Sequence, residues 1–338
     1  MCVLKMLRAK ESSSQHMSNE STAEGSRDTS HSHVTAIICT SNRYDLLASL
    51  LESLIPEFRN NQGDVILVVD NSPADKFQSS FQHKYELHPF LKFLRSDLEG
   101  LSRARNAGLV AAETDLVAYL DDDTIAWPGW LEAIKCAFES DANVACVAGR
   151  VNLRWLGGRP DWIDPRLMGY FGHLDFGPEP RLLGSDEFPV GCNMAFRRDV
   201  LLALGGFLLI LGRTANADIL LSNEDIEIAM RIRSANMSVI YWPRATVDHC
   251  VDSSRADEAW LIKRIDGQAI SDIVVGRARK WKLLFRAIWR RPALELALAY
   301  YRFASHSREP SSSANITYLK LEERYDTMLI KYFVKIRS

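Results

Sequence analysis

The chain has 338 residues, 47% of them hydrophobic, which is enough to bury one large core, alone or with an appended region. Its formal net charge of −2 gives no reason to expect a nucleic-acid partner. The six cysteines are scattered without disulfide-framework or zinc-site spacing, and most lie in apolar runs, as reduced thiols of cytoplasmic proteins do. No stretch is typical of a membrane span or a secretion signal. Residues 1–33 are polar and Ser-rich, which predicts a disordered segment.

From Val34 onward, strand-like apolar runs alternate with segments of helical periodicity. The predicted strands are VTAIIC, DVILVVD, FLKFLRS and DLVAYL, and the predicted helices between them are YDLLASLLESLIPEF and LSRARNAGLVAAE. The nearly continuous apolar run in DVILVVD is typical of a strand that is buried on both faces of a parallel sheet. This order predicts an open α/β sheet, which binds its ligands beyond the carboxyl ends of the strands.

The middle of the chain changes character. Residues 151–189 are rich in Gly, Pro, Trp and Asp, which predicts a long irregular segment of the kind that forms a binding site or a lid. PVGCNMAF and a short helix follow, and Gly205 and Gly206 end that helix. SNEDIEIAMRIRSA predicts a helix, and SVIYW predicts a strand that leads into PRATVDHC. We therefore expect one domain over 34–255 and a helical region over 256–338.

Acidic side chains collect where these elements begin or end. Asp70 follows the second predicted strand, three consecutive aspartates follow the fourth, and Asp225 lies at a predicted helix start. Carboxylates with an imidazole suit Mg²⁺ or Mn²⁺ that holds a substrate diphosphate. Ordinary roles are also consistent with the pattern, since DNSP at Asp70 is good turn chemistry. Ser222 followed by an acid three residues later is a capping-box pattern, in which Asp225 only stabilises the helix start.

Seven segments, in chain order, carry a resemblance to a known family: IICTSNR, VVDNSP, GLSRARNAGL, YLDDD, GCNMAFRRDVLLALGGF, SNEDIEIAMRIR and VDHCVDSSR. From Val34 to Ile270 the chain resembles the inverting family-two nucleotide-sugar glycosyltransferases with the A-type (GT-A) fold. The resemblance implies an α/β architecture with an open mixed sheet, a Rossmann-like nucleotide-binding half and flanking helices, followed by a helical C-terminal extension. Residues 34–255 are then the catalytic domain.

The resemblance also implies a role for individual positions. The residues that it implies for nucleotide binding are Thr40, Asp70, Arg105, Asn106, Asp121 and Asp122. Those that it implies for binding Mg²⁺ or Mn²⁺ are Asp121, Asp123 and His249. The catalytic residues that it implies are Asp225, as the base, and Glu224, its neighbour on the acceptor side.

The expected function is that of a metal-dependent inverting hexosyltransferase with a nucleotide-sugar donor, for which we expect a UDP-sugar. The acceptor is a hydroxyl of a carbohydrate, a lipid-linked glycan or a small molecule, in polysaccharide, glycolipid or natural-product biosynthesis. One alternative is a sugar-1-phosphate nucleotidyltransferase, which should begin with a Gly-rich signature that IICTSNR does not supply. Another is a non-catalytic nucleotide-sugar-binding module, against which the intact Asp121, Asp123 and Asp225 argue.

The C-terminal region contains one further candidate. RARKWKLLFRAIWRRP places Trp281, Leu284, Phe285 and Ile288 on one helical face, with basic residues around it. A basic amphipathic helix of this kind binds an anionic membrane surface. The same pattern is consistent with a helix that packs on the domain and has a solvated basic rim. We expect packing, with peripheral contact to the inner face of the membrane through residues 277–291 as the alternative.

Overall fold

A computed structural model describes residues 32–97, 99–212, 220–276, 280–304 and 310–335. Most of the predicted disordered segment, residues 1–31, lies outside the described residues, as do residues 277–279 of the predicted membrane-contacting stretch. The side chains of Lys280 and Trp281 are outside the description as well. None of the helices in the described part of the chain combines the length and the apolar character that crossing a membrane requires.

The described residues form nine strands and nine α-helices, with one 3₁₀ helix (Pro165–Phe171). The strands are β1 (Val34–Thr40), β2 (Val65–Asp70), β3 (Leu91–Arg95), β4 (Leu116–Asp121), β5 (Thr124–Ala126), β6 (Val144–Trp155), β7 (Arg181–Leu182), β8 (Asn193–Arg197) and β9 (Ser238–Val251). The helices are α1 (Tyr44–Arg59), α2 (Ser79–His83), α3 (Leu101–Ala111), α4 (Trp130–Glu139), α5 (Arg198–Ala203), α6 (Glu224–Ser234), α7 (Glu258–Val275), α8 (Lys280–Ala304) and α9 (Pro310–Lys335).

All of these strands belong to one mixed sheet with the order β3-β2-β1-β4-β8-β6-β9-β5, and β7 pairs with β9. Strands β1 to β4 form a parallel half, whereas β8 runs antiparallel to both β4 and β6. In the register of β1, Thr40 pairs with Asp70 of β2, and Cys39 pairs with Asp121 of β4. The carboxyl ends of three adjacent parallel strands therefore place their polar residues at one edge, where open α/β sheets bind ligands.

The buried core agrees with the apolar patterns from which the strands and helices were predicted. In β2 every residue after Val65 is buried, as expected for a strand covered on both faces. Helix α1 buries Leu47, Leu50, Leu51 and Leu54, which recur at helical spacing and cover one face of the sheet. This packing fixes the positions at which β1, β2 and β4 end.

Residues 151–189 contain more regular structure than the irregular segment that the sequence predicted. Strand β6 continues to Trp155, the 3₁₀ helix covers 165–171, and β7 lies on β9. Asp164 accepts a hydrogen bond from the backbone N–H of Arg166 and so caps the 3₁₀ helix. The Gly and Pro residues of this segment correctly predicted its turns. Its composition gave no indication of the long pairing between β6 and β9.

The C-terminal helices pack on this segment through a second hydrophobic cluster. In it, Leu167 and Phe171 contact the faces of α7 and α9 that contain Leu261, Ile265 and Leu329. Helix α8 joins the same cluster through Ala287, and Leu294 and Leu298 pack against α9 in a smaller one. Helix α8 therefore does pack on the protein, as we expected.

A different face of α8 stays exposed. Phe285 and Ile288, both predicted to share an apolar face, are 57% and 48% exposed, while Leu284 is half-buried. Trp289, Leu296 and Tyr300 extend the exposed apolar face along the helix, with exposures of 79%, 74% and 66%. Helix α8 thus has one packed face and one solvent-facing apolar face, so the two alternatives that the sequence left open are compatible.

Candidate active site

Two cavities meet at the carboxyl edge of the parallel half of the sheet. The first, of about 420 Å³, lies over the ends of β1, β2 and β4 and is lined by Thr40, Asn71 and Asp122 among others. The second, of about 520 Å³, lies between the sheet, residues 165–191 and the C-terminal helices, and is lined by Asp225. After the roles that the family resemblance implies for Thr40, Asp122 and Asp225, we call them the nucleotide cavity and the acceptor cavity. Both are lined by Leu101, Asp121 and Arg255, which form their boundary.

The three consecutive aspartates have three different environments. Asp121 ends β4 with its side chain 28% exposed, between the two cavities. Asp122 is buried and accepts hydrogen bonds from Thr40 Oγ1 at 2.8 Å and from the Arg43 guanidinium. Burial raises the pKa of Asp122 to about 7, although Arg43 opposes this. Thr40 and Asp122 thus form one hydrogen-bonded unit at the wall of the nucleotide cavity.

Asp123 lies next to His249 under two arginines. Its Oδ2 receives Nη1 of Arg43 and Nη2 of Arg255, both at 2.9 Å. Its Oδ1 lies 3.3 Å from His249 Nε2 but accepts no hydrogen bond, although it is buried. Burial alone would raise the pKa of Asp123, but the protonated form of His249, together with Arg43 and Arg255, outweighs burial and holds that pKa well below its usual range. Asp123 is therefore an ionised carboxylate whose Oδ1 is buried beside His249 without a hydrogen bond.

His249 has a fixed orientation. Its Nδ1 donates to the carbonyl oxygen of Phe171 at 2.7 Å, so Nε2 of the neutral ring carries the lone pair and faces Asp123. The described residues provide Nε2 with one weak donor, Arg255 Nη1 at 3.4 Å. Pairing of Thr124 with His249 and a backbone bond from Cys250 N to Asp123 O hold the two strands together. A carbonyl that holds the second ring nitrogen is the usual support of a metal-binding histidine.

Arg105 connects the aspartates to α6. Its side chain is 2% exposed and donates to Asp121 Oδ1 at 3.0 Å, to Glu224 Oε1 at 2.7 Å and to the carbonyl oxygen of Gly191 at 2.9 Å. The other oxygen of Glu224, Oε2, is buried and has no hydrogen-bond partner. The negative charge of Glu224 is therefore compensated through its ion pair with Arg105. The guanidinium is occupied by protein groups and holds the two acidic clusters at a fixed separation.

Asp225 is not part of a capping box. The N-cap of α6 is Asn223, with φ of 75° and no side-chain cap, and the Ser222 hydroxyl lies against Asn223 and Gln268. Asp225 instead accepts hydrogen bonds from the N–H groups of Gly191 at 2.9 Å and of Ile226 at 2.8 Å. Burial, followed by the charge of Glu224, raises the pKa of Asp225 to about 6. A helix N-terminus lowers the pKa of a nearby acid, but burial and the neighbouring Glu224 are stronger here.

The structure places two of the predicted nucleotide-binding residues within the protein rather than on a cavity. Asp70 is 2% exposed and accepts from Tyr44 Oη at 2.7 Å and from the backbone N–H of Ser72 at 2.9 Å. It thereby shapes the turn that brings Asn71 to the nucleotide cavity. Asn106 exchanges two hydrogen bonds with the backbone of Phe207, each of 2.8 Å, and so fixes the loop after Gly206.

Sequence reasoning missed Arg43 and Arg255, although both belong to segments that carried the family resemblance. Arg43 stands three residues beyond the end of β1, and Arg255 stands four residues beyond the end of β9. Both could have been identified from one signal, an arginine that follows within a few residues of the end of a strand at the edge of the sheet where the acidic residues lie. Gly191 was missed too. A Cβ at this position would lie 2.8 Å from Arg105 Nη2, so the close approach of the backbone to Arg105 requires glycine.

A comparison with protein-family models decides the family. The model described as Glycosyl transferase family 2 matches residues 35–205, about half of the chain, from β1 to the Gly205 turn. The chain belongs to glycosyl transferase family 2. The resemblance carried by the seven segments is confirmed, and so is the transferase class that it implied.

The curated relatives of this family-two chain include two proteins that are glycosyltransferases by name and one that is named for polysaccharide biosynthesis. It is 25% identical to the glucosyl-dolichyl phosphate glucuronosyltransferase of Haloferax volcanii, over 72% of the chain and 77% of the relative. It is also 25% identical to the succinoglycan biosynthesis protein ExoM of Rhizobium meliloti, over 74% and 79%. The pre-mycofactocin glycosyltransferase of Mycobacterium tuberculosis is 29% identical, over 65% of the chain and 43% of the relative.

Solved structures show the fold. The mannosyltransferase PcManGT from Pyrobaculum calidifontis, in complex with GDP-Man and Mn²⁺, superposes with a TM-score of 0.56 at 20% identity, over 91% of this chain and 87% of that one. GalNAc-T7 with UDP, GalNAc and Mn²⁺ gives 0.51 at 16% identity, over 70% and 48%. The family-two chain thus spans about half the length of GalNAc-T7. The predicted GT-A fold, with its open mixed sheet and C-terminal helices, is confirmed.

Proposed function

We propose that this family-two glycosyltransferase transfers a sugar from a UDP-sugar to an acceptor hydroxyl in one displacement that inverts the anomeric centre. The observation that carries the proposal is the position of Asp225. Its carboxylate lines the acceptor cavity, while the path through Glu224, Arg105 and Asp121 links it to the boundary with the nucleotide cavity. A base on one side and a nucleotide site on the other are what an in-line displacement needs.

In the proposed reaction Asp225 takes the proton of the acceptor hydroxyl while the oxygen attacks the anomeric carbon. A carboxyl with a pKa of about 6 is ionised at neutral pH and still basic enough to assist the attack. Two backbone N–H groups hold its oxygens in place, so the base needs no reorientation. The bond from the anomeric carbon to the diphosphate oxygen breaks in the same step, and the nucleoside diphosphate leaves with the electron pair.

The residues at Asp123 fit a divalent cation. Asp123 Oδ1 and His249 Nε2 lie 3.3 Å apart, each able to accept, with the oxygen buried and without a donor. A cation bound to both would satisfy this pair, and the carbonyl oxygen of Phe171 already orients the ring through Nδ1. No group of three or more potential ligands converges in the described residues, so the diphosphate and water would complete the shell, as Mg²⁺ and Mn²⁺ accept. Such an ion would stabilise the charge that develops on the leaving diphosphate.

Arg43 and Arg255 are proposed to assist at the same place. Both touch Asp123, and both line the nucleotide cavity. Guanidinium groups bind phosphate oxygens through two parallel hydrogen bonds. We infer that they would hold oxygens of the diphosphate beside Asp123 and His249.

We propose further that the exposed face of α8 binds an anionic membrane surface. Phe285, Ile288 and Trp289 form the start of the exposed apolar face. Lys282 is exposed next to it, and Arg291, whose side chain is 43% exposed and pairs with Glu295, stands beyond it. Apolar residues with a basic border match the chemistry of an anionic lipid surface, in which the rings enter the interface and the cations meet the headgroups.

A thermal-shift panel of nucleotide sugars with Mn²⁺ tests the proposed donor. A ligand that binds only the native protein raises the melting temperature, and we expect UDP-sugars to do so more than GDP-sugars at equal concentration. UDP release on addition of candidate acceptors then separates a transferase from a binding module. Formation of a nucleotide sugar from a sugar 1-phosphate and UTP would instead support the nucleotidyltransferase alternative.

A further inference from the structure

The acceptor cavity contains arginines of two kinds. Six arginines line it, and four of them have a carboxylate partner within 4 Å. These four are Arg105 (Asp121 and Glu224), Arg166 (Asp164), Arg255 (Asp123) and Arg290 (Glu322 and Asp326). Arg264 of α7 and Arg286 of α8 form no ion pair within the described residues. The charge of a paired arginine is compensated at least in part by the protein, whereas an arginine in a cavity without an ion pair has its full charge available for the anionic group of a ligand.

Arg264 is only partly satisfied by the protein. Its Nη1 donates to Ser222 Oγ at 3.0 Å and to Gln268 Oε1 at 2.9 Å. Its Nε is buried without a hydrogen-bond partner. Burial lowers the pKa of Arg264, and the charges that oppose this most strongly are Asp225 and Glu224. A buried guanidinium with an unused N–H group is costly unless a ligand occupies it.

The acids of this cavity wall are already engaged. Asp272 accepts from Asn223 Nδ2 at 2.7 Å, from Gln268 and from Tyr325 Oη. Glu322 is paired with Arg290. Both carboxylates therefore already accept hydrogen bonds, and neither forms an ion pair with Arg264 or Arg286. Arg264 and Arg286 are thus the two arginines of this cavity that form no ion pair in the part of the chain that the structure describes.

We propose that Arg264 and Arg286 form a subsite for a phosphate group that the acceptor carries near its reacting hydroxyl. This deepens the proposed function and rests on it. The acceptor is assigned rather than the donor because Arg264 and Arg286 line the acceptor cavity and not the nucleotide cavity, on the same side as Asp225. Two guanidinium groups suit a phosphate, which offers oxygens to both, and the substrate class is therefore a glycosyl phosphate or its lipid ester.

The test measures a preference between two ligands in the presence of saturating UDP and Mn²⁺, which occupy the nucleotide cavity. Glucose 1-phosphate and methyl α-glucoside are titrated by ligand-observed NMR. For the wild-type protein we expect tighter binding of the phosphate ester by about tenfold to a hundredfold, the range for hydrogen bonds to charged groups. Arg264→Gln should abolish this preference while the affinity for UDP with Mn²⁺ is unchanged. No preference in the wild-type protein, or its full retention in Arg264→Gln, would overturn the proposal.

Three further variants control for structure and charge. Arg286→Gln changes an exposed side chain, so it should fold normally and reduce the preference several-fold even if Arg264→Gln proves unstable. Arg264→Lys keeps the charge but loses the planar fork, and should retain only part of the preference. Arg324→Gln removes a positive charge that pairs with Asp266 outside the cavity, and should leave the preference intact.

A comparison of donors decides whether the anion belongs to the donor sugar instead. If Arg264→Gln weakens binding of UDP-glucuronate but not of UDP-glucose, and the preference for glucose 1-phosphate persists, the subsite holds a donor carboxylate and the acceptor assignment is wrong. UDP binding to the same samples separates this outcome from a failure of the proposed function. A wild-type protein that does not bind UDP with Mn²⁺ would contradict the function itself.

Discussion

Arg105 and Glu224 are 119 residues apart in the chain, and Arg105 Nη1 donates to Glu224 Oε1 at 2.7 Å. Through this bond, and its second bond to Asp121, Arg105 connects the end of β4 with the start of α6. The arrangement explains why two acidic segments can approach each other at the edge of a sheet. A buried cation between them replaces the water that would otherwise separate their charges.

Replacing Arg105 should therefore destabilise the protein strongly. Arg105→Ala leaves Asp121 and Glu224 without their shared partner, and we expect a loss of about 3–5 kcal/mol in the free energy of unfolding. Arg103 is exposed on the same helix, so Arg103→Ala should change that free energy by no more than about 0.5 kcal/mol. Urea denaturation of both variants checks this. Equal stability of the two would show that Arg105 does not hold the acidic segments together.

The sequence predicted the parallel half of the sheet well, because its signal is local. A continuous apolar run marks β2, a heptad-like leucine spacing marks α1, and acids at strand ends mark the edge that binds ligands. It could not predict the register, on which the contact between Asp123 and His249 depends, because this contact forms between strands that are distant in the chain.

Two further sequence predictions, at the start of α6 and in β9, differ from the structure because of tertiary context and not because of the local preferences of the residues. Ser222 and Asp225 have the spacing of a capping box, but Asn223 adopts φ of 75° and takes the N-cap position, so the hydroxyl points elsewhere. Strand β9 continues through Pro243, which the sequence predicted as the end of a strand. The register with β6 shifts between Gly149 and Arg150, and this irregularity accommodates the proline.

Removing the metal ion should weaken UDP binding in a way that depends on Asp123. For the wild-type protein, EDTA should lower the affinity for UDP measured by calorimetry. In Asp123→Ala the metal effect should disappear, because the oxygen that faces His249 is gone and Arg43 and Arg255 lose the carboxylate that they share. Asp248→Asn, which removes a carboxylate bonded to Trp127 and Asn152, serves as the control. Equal UDP affinity of the wild-type protein with and without EDTA would remove the metal from the mechanism.

The exposed face of α8 should bind anionic vesicles. We expect the protein to co-sediment with vesicles of phosphatidylglycerol and phosphatidylcholine at low salt, and less at high salt, because each basic residue near the surface contributes about 1 kcal/mol that salt screens. Trp289→Ser should weaken this binding. Leu87→Ser changes an apolar residue that is even more exposed, at 92%, and lies far from α8 in the chain, so it should have no effect. Failure of the wild-type protein to bind at low salt would exclude the membrane contact.

The pH dependence of turnover should report Asp225. Burial and Glu224 raise its pKa to about 6, so the base is ionised above this pH and becomes protonated below it. With donor and metal saturating, the rate should therefore be constant above about pH 7 and should fall tenfold per pH unit well below 6. UDP affinity measured in the same buffers separates this effect from a loss of nucleotide binding. A rate that stays constant down to pH 4.5 would assign the base to another group.

The most direct test of the proposed mechanism is the turnover of Asp225→Asn. Asparagine keeps the shape but can accept from only one of the N–H groups of Gly191 and Ile226, which donate to different oxygens of Asp225, so the free energy of unfolding should fall by about 1–3 kcal/mol. UDP with Mn²⁺ should bind as it does to the wild-type protein, since Asp225 lines the acceptor cavity and not the nucleotide cavity. Without a proton acceptor, turnover should fall by a factor of roughly 10² to 10⁴. A folded, UDP-binding Asp225→Asn variant that turns over at a near wild-type rate would contradict the assignment of Asp225 as the base.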